Sequence, residues 1–146
     1  MRASGALLDT GPLVAYLYAR DRHHDWAVEQ FETFKPPFIS CEAVLTEACF
    51  LVVRNGQRPT LVLDLIGIGV VRLDFDVQDE LAAVRTLIER YANVPMSLAD
   101  ACLVRLAEMT GLPICTLDDD FAIYRTRSGR ALRLIMPERR RTLHEP

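Results

Sequence analysis

The chain has 146 residues, half of them hydrophobic and a quarter charged, which is typical of a folded globular protein. This length is enough to bury one core, and no linker or repeat divides the chain. We therefore predict a single domain over residues 1–146, with a core from about residue 7 to 137 and a charged tail over 138–146. The net charge of −3 and the pI near 5.6 do not by themselves indicate nucleic-acid binding.

No segment has the pattern of a secretion signal or a membrane span. The first apolar run stops early, at Asp9, and the most apolar stretch, residues 61–71, contains Asp64 and is too short to cross a bilayer. The cysteines form no C-x-x-C pair and have apolar neighbours, as reduced core cysteines do: Cys41, Cys49, Cys102 and Cys115. We therefore predict a cytoplasmic protein that does not associate with membranes.

The first half of the chain alternates short apolar runs with amphipathic segments. Thr10-Gly11-Pro12 is a typical helix start, because proline is favoured at the first helical position after a threonine cap. Pro36-Pro37 ends a helical pattern, and Asn55-Gly56 ends another. We predict strands at 6–8 and 38–39, and helices that begin at 10, cover 25–34, run from a Ser40 cap to 54, and cover about 59–66.

The second half continues the alternation. Asp76, with Asp79 three residues later, predicts a capping box for a helix that ends near residue 91, and Ser97 and Gly111 mark the two ends of another. We predict strands at 70–73, 112–117 and 131–135, and a short helix at 121–124. Short apolar strands that alternate with helices predict an α/β fold, with a central parallel sheet between helices on both faces.

Acidic residues lie where such a fold places ligands, at the carboxyl ends of parallel strands. Asp9 ends the first strand, and Asp118 begins the run Asp118-Asp119-Asp120 after a later strand. Each has a structural alternative: Asp9 can stabilise the turn into the next helix, and three adjacent acids can form a solvated loop. Position alone therefore leaves the function of both residues open.

Two further acids lie on predicted helices. Glu47 is three residues after Val44 and four before Leu51, so we expect it on the helix face that packs on the core, unless it reaches water from the edge of that face. A buried, unpaired carboxylate costs several kcal/mol and needs a cation or a hydrogen-bonding pocket. Asp100 has the spacing of a metal ligand, but Ser97-Leu98-Ala99-Asp100 is also a capping box.

The set of four acids is more informative than its members. Carboxylates brought together at one strand edge repel one another, by several kcal/mol at an effective dielectric constant near 20. Hard cations such as Mg²⁺ remove that repulsion, and a bound Mg²⁺ can activate a water for attack on a phosphate. The pattern indicates a metal-dependent phosphodiesterase.

The motifs together resemble those of PIN-domain ribonucleases, including the small VapC-type toxins of toxin–antitoxin pairs. They occur in the expected order over about residues 7–137: Leu8-Asp9-Thr10-Gly11-Pro12-Leu13, the helix with Glu47, Pro95-Met96-Ser97-Leu98-Ala99-Asp100-Ala101, and Thr116-Leu117-Asp118-Asp119-Asp120-Phe121. The resemblance implies a three-layer α/β/α sandwich and endonucleolytic cleavage of RNA with Mg²⁺ or Mn²⁺. It also implies a homodimer and a cognate antitoxin as partner.

The resemblance also assigns roles to individual residues. It places metal ligands at Asp9 and Asp100, with Glu47 and Asp118 completing the acidic centre directly or through waters. Thr10 and Thr116 would supply supporting hydroxyls. The triple acid leaves the fourth position open, because Asp120 can share the role of Asp118.

Other functions fit less well. Leu7-Leu8-Asp9-Thr10-Gly11 also matches the aspartic-protease signature, but those enzymes are β-rich, and here a helix follows. A phosphatase of the haloacid dehalogenase type needs an acid where Gly11 stands, and a receiver domain needs a late lysine, whereas Lys35 is the only lysine. His23-His24 could bind metal or phosphate, but is also typical of a polar loop. A PIN-like module that binds RNA or protein without cleaving it is the main alternative.

Basic residues are concentrated near the C-terminus, and nearly all are arginines, whose planar side chains match phosphate. They include Arg125, Arg127, Arg130, Arg133, Arg139, Arg140 and Arg141. Both a local surface for RNA and a solvated basic tail are compatible with this pattern.

Overall fold

Five short strands and six helices alternate along residues 5–138, the part of the chain that the computed structural model describes. In chain order they are β1 (Leu7–Leu8), α1 (Thr10–Leu17), α2 (His24–Thr33), β2 (Phe38–Ser40), α3 (Glu42–Arg54), α4 (Thr60–Gly67), β3 (Val71–Leu73), α5 (Leu81–Arg90), α6 (Leu98–Thr110), β4 (Ile114–Cys115), a 3₁₀ helix (Asp119–Ala122) and β5 (Leu134–Ile135). The predicted alternation of strands and helices is confirmed.

The five strands form one parallel sheet in the order β3-β2-β1-β4-β5. Leu7 of the central strand pairs with Ile39 on one side and with Ile114 on the other. The chain leaves β1 toward β2 and later returns on its other side as β4, so the strand order reverses at β1. A crevice opens at such a reversal, outside the carboxyl ends of the strands.

Successive residues of the central strands point to opposite faces of the sheet, and each face is covered by helices. Leu7 and Ile114 pack in one hydrophobic cluster with residues of α5 and α6. Leu8 and Cys115 pack in a second cluster with residues of α1 and α4. Helix α3 contributes to both clusters. The predicted three-layer α/β/α sandwich is confirmed.

Local capping explains where the helices beside the crevice begin and end. Asp9 is the N-cap of α1, and its Oδ1 accepts a hydrogen bond of 2.8 Å from the Thr10 amide. Ser97 caps α6 as predicted, with its Oγ accepting from the Asp100 amide at 3.0 Å. Gly111 ends α6 with a φ of 70°, a left-handed conformation that glycine adopts without steric cost.

Three predicted caps are wrong. Thr10 does not cap α1; it is the first residue of that helix, and Asp9 takes the cap position. Ser40 does not cap α3; it is the last residue of β2, and its hydroxyl donates to the Leu8 carbonyl at 2.8 Å, so Cys41 takes the cap position. Asp76 does not begin α5 directly. Its carboxylate accepts from the amides of Gln78 and Asp79 and forms a separate turn, and the helix starts at Leu81.

The last two strands are shorter than predicted. β4 comprises two residues because Pro113, just before it, has no N–H for a ladder bond, although its carbonyl accepts from the Leu7 amide. Ala131 pairs with Arg125 in an isolated antiparallel bridge and is not part of β5. The tail beyond Glu138, including Arg139, Arg140 and Arg141, lies outside the described residues, and the single-domain assignment stays a prediction.

Two further expectations concern the cysteines and membranes. All four cysteines are free; Cys41, Cys102 and Cys115 are buried and Cys49 is partly exposed. Within residues 5–138 no helix has the length and hydrophobicity needed to cross a bilayer.

Candidate active site

An acidic pocket of about 450 Å³ opens at the carboxyl ends of β1 and β4. Its walls include the four predicted acids, which come from four elements: Asp9 after β1, Glu47 on α3, Asp100 in the first turn of α6, and Asp118 after β4. Asp120 also lines it, whereas His23 and His24 do not. We refer to this site as the acid pocket.

Asp9 lies at the bottom of the acid pocket and is only 7% exposed. Each of its oxygens has a hydrogen bond: Oδ1 accepts from the Thr10 amide, and Oδ2 accepts from the Thr116 hydroxyl at 2.7 Å. Thr116 is fully buried, and its own oxygen accepts from the Asp118 amide at 2.9 Å. One hydroxyl therefore connects the ends of β1 and β4 and fixes the Asp9 carboxylate.

The acids affect one another electrostatically. Burial raises the pKa of Asp9 from the ordinary 3.8 to about 6; the two hydrogen bonds oppose this rise, and the charges of Asp100 and Asp118 add to it. Burial also raises the pKa of Asp100, with hydrogen bonds from Tyr124 and Ser97 opposing the shift and the charge of Asp118 adding to it. The pocket thus contains carboxylates whose ionised forms are disfavoured.

Asp100 has a partner that the sequence did not reveal. The Tyr124 hydroxyl donates to Asp100 Oδ2 at 2.8 Å. Tyr124 is fully buried, and its ring packs edge-to-face against Phe121 and Tyr91, with centroid distances of 5.3 and 5.0 Å. The three-residue spacing of Phe121 and Tyr124 predicts that they share a face, but nothing in the sequence connects Tyr124 to a residue 24 positions earlier.

Glu47 is exposed, so the prediction that it faces the core is wrong. The buried face of α3 consists of Val44, Ala48 and Val52, and Glu47 lies beside it. Its Oε2 nevertheless accepts from the Thr10 hydroxyl at 3.0 Å, which holds the carboxylate at the rim of the acid pocket. The cost of burying a charge therefore gives no support for a role of Glu47 in the site. Only its position at the acid pocket supports that role.

The triple acid separates into two kinds of residue. Asp118 and Asp120 line the acid pocket, and Asp119 does not. Asp118 is the N-cap of the 3₁₀ helix, and its Oδ1 accepts from the Asp120 amide at 2.9 Å. The charge of Asp118 acts on both Asp9 and Asp100, which places it nearer the centre of the site.

The donor set fits a hard cation, since it consists of carboxylate and hydroxyl oxygens. Among residues 5–138, no three His, Cys, Asp or Glu side chains are arranged so that they could hold one metal ion together. Mg²⁺ does not require such a trio, because it usually keeps several waters and binds one or two carboxylates. Asp9, which is buried, and Asp100, which is partly buried, carry charges that repel each other, and they provide two such carboxylates.

Comparisons with known proteins agree with this geometry. VapC20 of Mycobacterium tuberculosis, described as a toxin that cleaves the sarcin-ricin loop, has a similar structure, with a TM-score of 0.70 and 22% identity over 83% of this chain and 94% of that chain. A toxin–antitoxin complex from Klebsiella pneumoniae contains a chain with a TM-score of 0.61 and 22% identity, over 80% of this chain and 90% of its own. No curated protein sequence matches. The PIN domain family model matches residues 6–126, and the chain therefore belongs to the PIN domain family.

Proposed function

We propose that this protein is a Mg²⁺-dependent endoribonuclease that cleaves RNA phosphodiester bonds. The observation that carries the proposal is the acid pocket itself, in which Asp9 is buried with its pKa raised and lies near Asp100 and Asp118. A protein gains no stability from such mutual repulsion unless a cation offsets it. Membership of the PIN domain family supports nuclease activity.

In this proposal each acid has a task. Asp9 and Asp100 bind Mg²⁺, or Mn²⁺, and Glu47 and Asp118 complete the centre, directly or through waters. Thr116 and Thr10 orient Asp9 and Glu47 through their hydroxyls. The bound ion supplies an activated water and stabilises charge on the phosphate. Asp120 also lines the acid pocket and can share the role of Asp118.

We also propose that the protein is the toxin of a toxin–antitoxin pair. Both similar structures are described as toxins or toxin complexes, which supports a cognate antitoxin as partner. Large apolar side chains exposed on or beside α3 and α4 are suited to a protein contact: Phe50, Val53, Leu63 and Ile68. A homodimer and a cytoplasmic location complete the proposal, the latter supported by the four free cysteines.

The alternative is a PIN-like module that binds RNA or protein without cutting it. Incubation of purified protein with RNA, in Mg²⁺ and separately in EDTA, distinguishes the two functions. We expect cleavage in Mg²⁺ only, and none from a folded Asp100→Asn variant. Metal-dependent cleavage retained by purified Asp100→Asn would contradict the assignment, and binding without cleavage by the unmodified protein would favour the alternative.

A further inference from the structure

A second and larger pocket, of about 630 Å³, lies at the opposite end of the sheet from the acid pocket. The C-terminal end of α6, the residues that lead into β4 and β5, and the loop from Thr126 to Ala131 form its walls. Its charged residues are four arginines and one glutamate: Arg105, Arg127, Arg130, Arg133 and Glu108. We call this site the arginine pocket.

The one acid in the arginine pocket is already neutralised. Glu108 forms ion pairs with Arg105 at 3.3 Å and with Arg127 at 3.1 Å, and its side chain is 10% exposed. Arg130 and Arg133 remain exposed, and neither has an acidic partner among the described residues. The pocket therefore carries excess positive charge in a protein whose net charge is −3.

The loop that carries two of these arginines has a defined shape. The Thr126 carbonyl accepts from the Gly129 amide at 2.8 Å, and its hydroxyl accepts from the Arg130 amide at 3.0 Å. Arg90 of α5 donates to the carbonyls of Thr126 and Arg127 at 3.1 and 3.2 Å. These bonds hold the backbone of the loop, so the arginines project from a fixed support and lose less entropy on binding a ligand.

The two pockets are connected by α6 and by the chain beside it. Asp100 and Glu108 are eight residues apart on that helix, which corresponds to about 12 Å along its axis. Residues 123–131 leave the 3₁₀ helix at the acid pocket and reach the arginine pocket, with Arg125 between the two. An extended polyanion that leaves the acid pocket along α6 or along residues 123–131 would therefore reach the arginine pocket.

We propose that the arginine pocket binds the phosphate backbone of an RNA strand whose scissile bond lies in the acid pocket. Without a bound cation the acid pocket repels phosphates, so under that condition the affinity for RNA comes from elsewhere on the protein. Arginine matches phosphate oxygens with paired donors, and such contacts provide affinity that does not depend on sequence. This inference rests on the proposed function in one respect: it takes the ligand of the arginine pocket to be the RNA that the nuclease cuts.

Equilibrium binding in EDTA, where no cleavage occurs, tests the proposal. The probe is a fluorescein-labelled single-stranded RNA of about 16 nucleotides, followed by anisotropy as the salt concentration is varied. For Arg130→Gln/Arg133→Gln we expect the affinity at about 0.1 M salt to fall roughly 10- to 30-fold, and the slope of log K against log salt to fall by about 1.4, because two phosphate contacts are lost. Melting curves of the variant check that it is folded.

Arg72→Gln is the control for a loss of positive charge elsewhere. It removes one charge, where the double variant removes two, at an exposed position on β3, the opposite edge of the sheet, where Arg72 pairs with Asp74 at 3.4 Å. We expect its RNA affinity and salt slope to equal those of the unmodified protein. Equal RNA binding by all three proteins would overturn the proposal. So would a loss of affinity by the double variant for a poly-glutamate peptide alone, which would indicate an acidic protein partner.

The test separates this inference from the proposed function. If the arginine variant binds RNA weakly while the unmodified protein cuts nothing in Mg²⁺, the proposed nuclease function is wrong and the binding site stands. If the unmodified protein cuts RNA and the variant binds it normally, the nuclease stands and the arginine pocket has no part in holding RNA.

Discussion

Each of the four predicted acids of the acid pocket accepts at least one hydrogen bond, and for Asp9, Glu47 and Asp100 a donor comes from a distant part of the chain. Thr116 holds Asp9, Thr10 holds Glu47, and the Asp120 amide holds Asp118. Asp100 is held by the Tyr124 hydroxyl, which is buried. Donors of this kind fix the direction in which the remaining lone pairs of a carboxylate point, and they commonly determine how well a metal ligand binds.

Tyr124→Phe tests this at the residue scale. We expect the affinity for Mg²⁺, measured by calorimetric titration, to fall about tenfold or more, because Asp100 loses the bond that orients it. The free energy of unfolding should fall by only about 1 kcal/mol, since the ring still packs on Phe121.

Tyr91→Phe is the control for this substitution. The Tyr91 hydroxyl accepts from the Arg125 amide at 2.6 Å and is not bonded to any acid of the pocket. We expect a similar small loss of stability with unchanged Mg²⁺ affinity. Equal Mg²⁺ affinities for the two variants would show that Tyr124 contributes to packing and does not position Asp100.

At the scale of elements, a single residue can determine where a helix ends, when that residue adopts a backbone conformation that most side chains disfavour. Gly111 ends α6 with a φ of 70°, and an added Cβ would meet no atom within 4 Å. Gly67 lies in the last turn of α4 with ordinary helical φ and equally open space. The two glycines therefore differ in backbone conformation and not in packing.

Alanine at these two positions should have opposite effects on stability. Gly111→Ala places a side chain in the left-handed region, and we expect the free energy of unfolding to fall by about 1 kcal/mol. Gly67→Ala restricts the unfolded chain without strain in the helix, and we expect a gain of about 0.5 to 1 kcal/mol. Urea denaturation measures both. An equal loss of unfolding free energy in both variants would mean that backbone conformation does not determine the effect of alanine at these helix ends.

Local patterns were enough to predict most elements, because caps, prolines and apolar periodicity act over a few residues. The strand-end rule also located Asp9 and Asp118. The helical-stripe argument failed for Glu47, since a stripe defined by Val44 and Leu51 is uncertain by about one residue, or 100° of rotation. Contacts between distant segments, such as Tyr124 with Asp100, depend on how elements pack, and no local pattern encodes them.

At the scale of the whole molecule, opposite charges are separated along α6. The acid pocket lies near its first turn and the arginine pocket near its last, so the modest net charge of −3 conceals two local fields. Burial of Asp9, with the charges of Asp100 and Asp118 adding to it, should make stability depend on pH. The pKa of Asp9 is about 6 in the folded protein and near 3.8 in the unfolded chain, so the folded state binds the proton more tightly.

Stability without metal should therefore fall as the pH rises from about 4 to above 6, by up to about 3 kcal/mol from Asp9. Asp9→Asn removes this dependence, and the ΔΔG between variant and unmodified protein should shift in favour of the variant between about pH 4 and pH 7.5. The change in ΔΔG between the two pH values is the informative quantity. Hydrogen bonds that the substitution alters change the free energy of unfolding equally at both pH values, so they cancel in the comparison. Asp64→Asn, on the exposed side of α4, is the control.

Mg²⁺ should reverse the order of stability of the same two proteins. An ion that binds only the folded state adds about 2.7 kcal/mol at a concentration 100 times its Kd, which raises the Tm by roughly 2 to 4 °C per kcal/mol for a chain of this size. The unmodified protein gains this stabilisation near pH 7.5 and Asp9→Asn does not, because the variant lacks a carboxylate that binds the ion. Near pH 4 protons compete for that carboxylate, and the gain should disappear. Unchanged melting of the unmodified protein across millimolar Mg²⁺ would mean that the acids are crowded without forming a metal site.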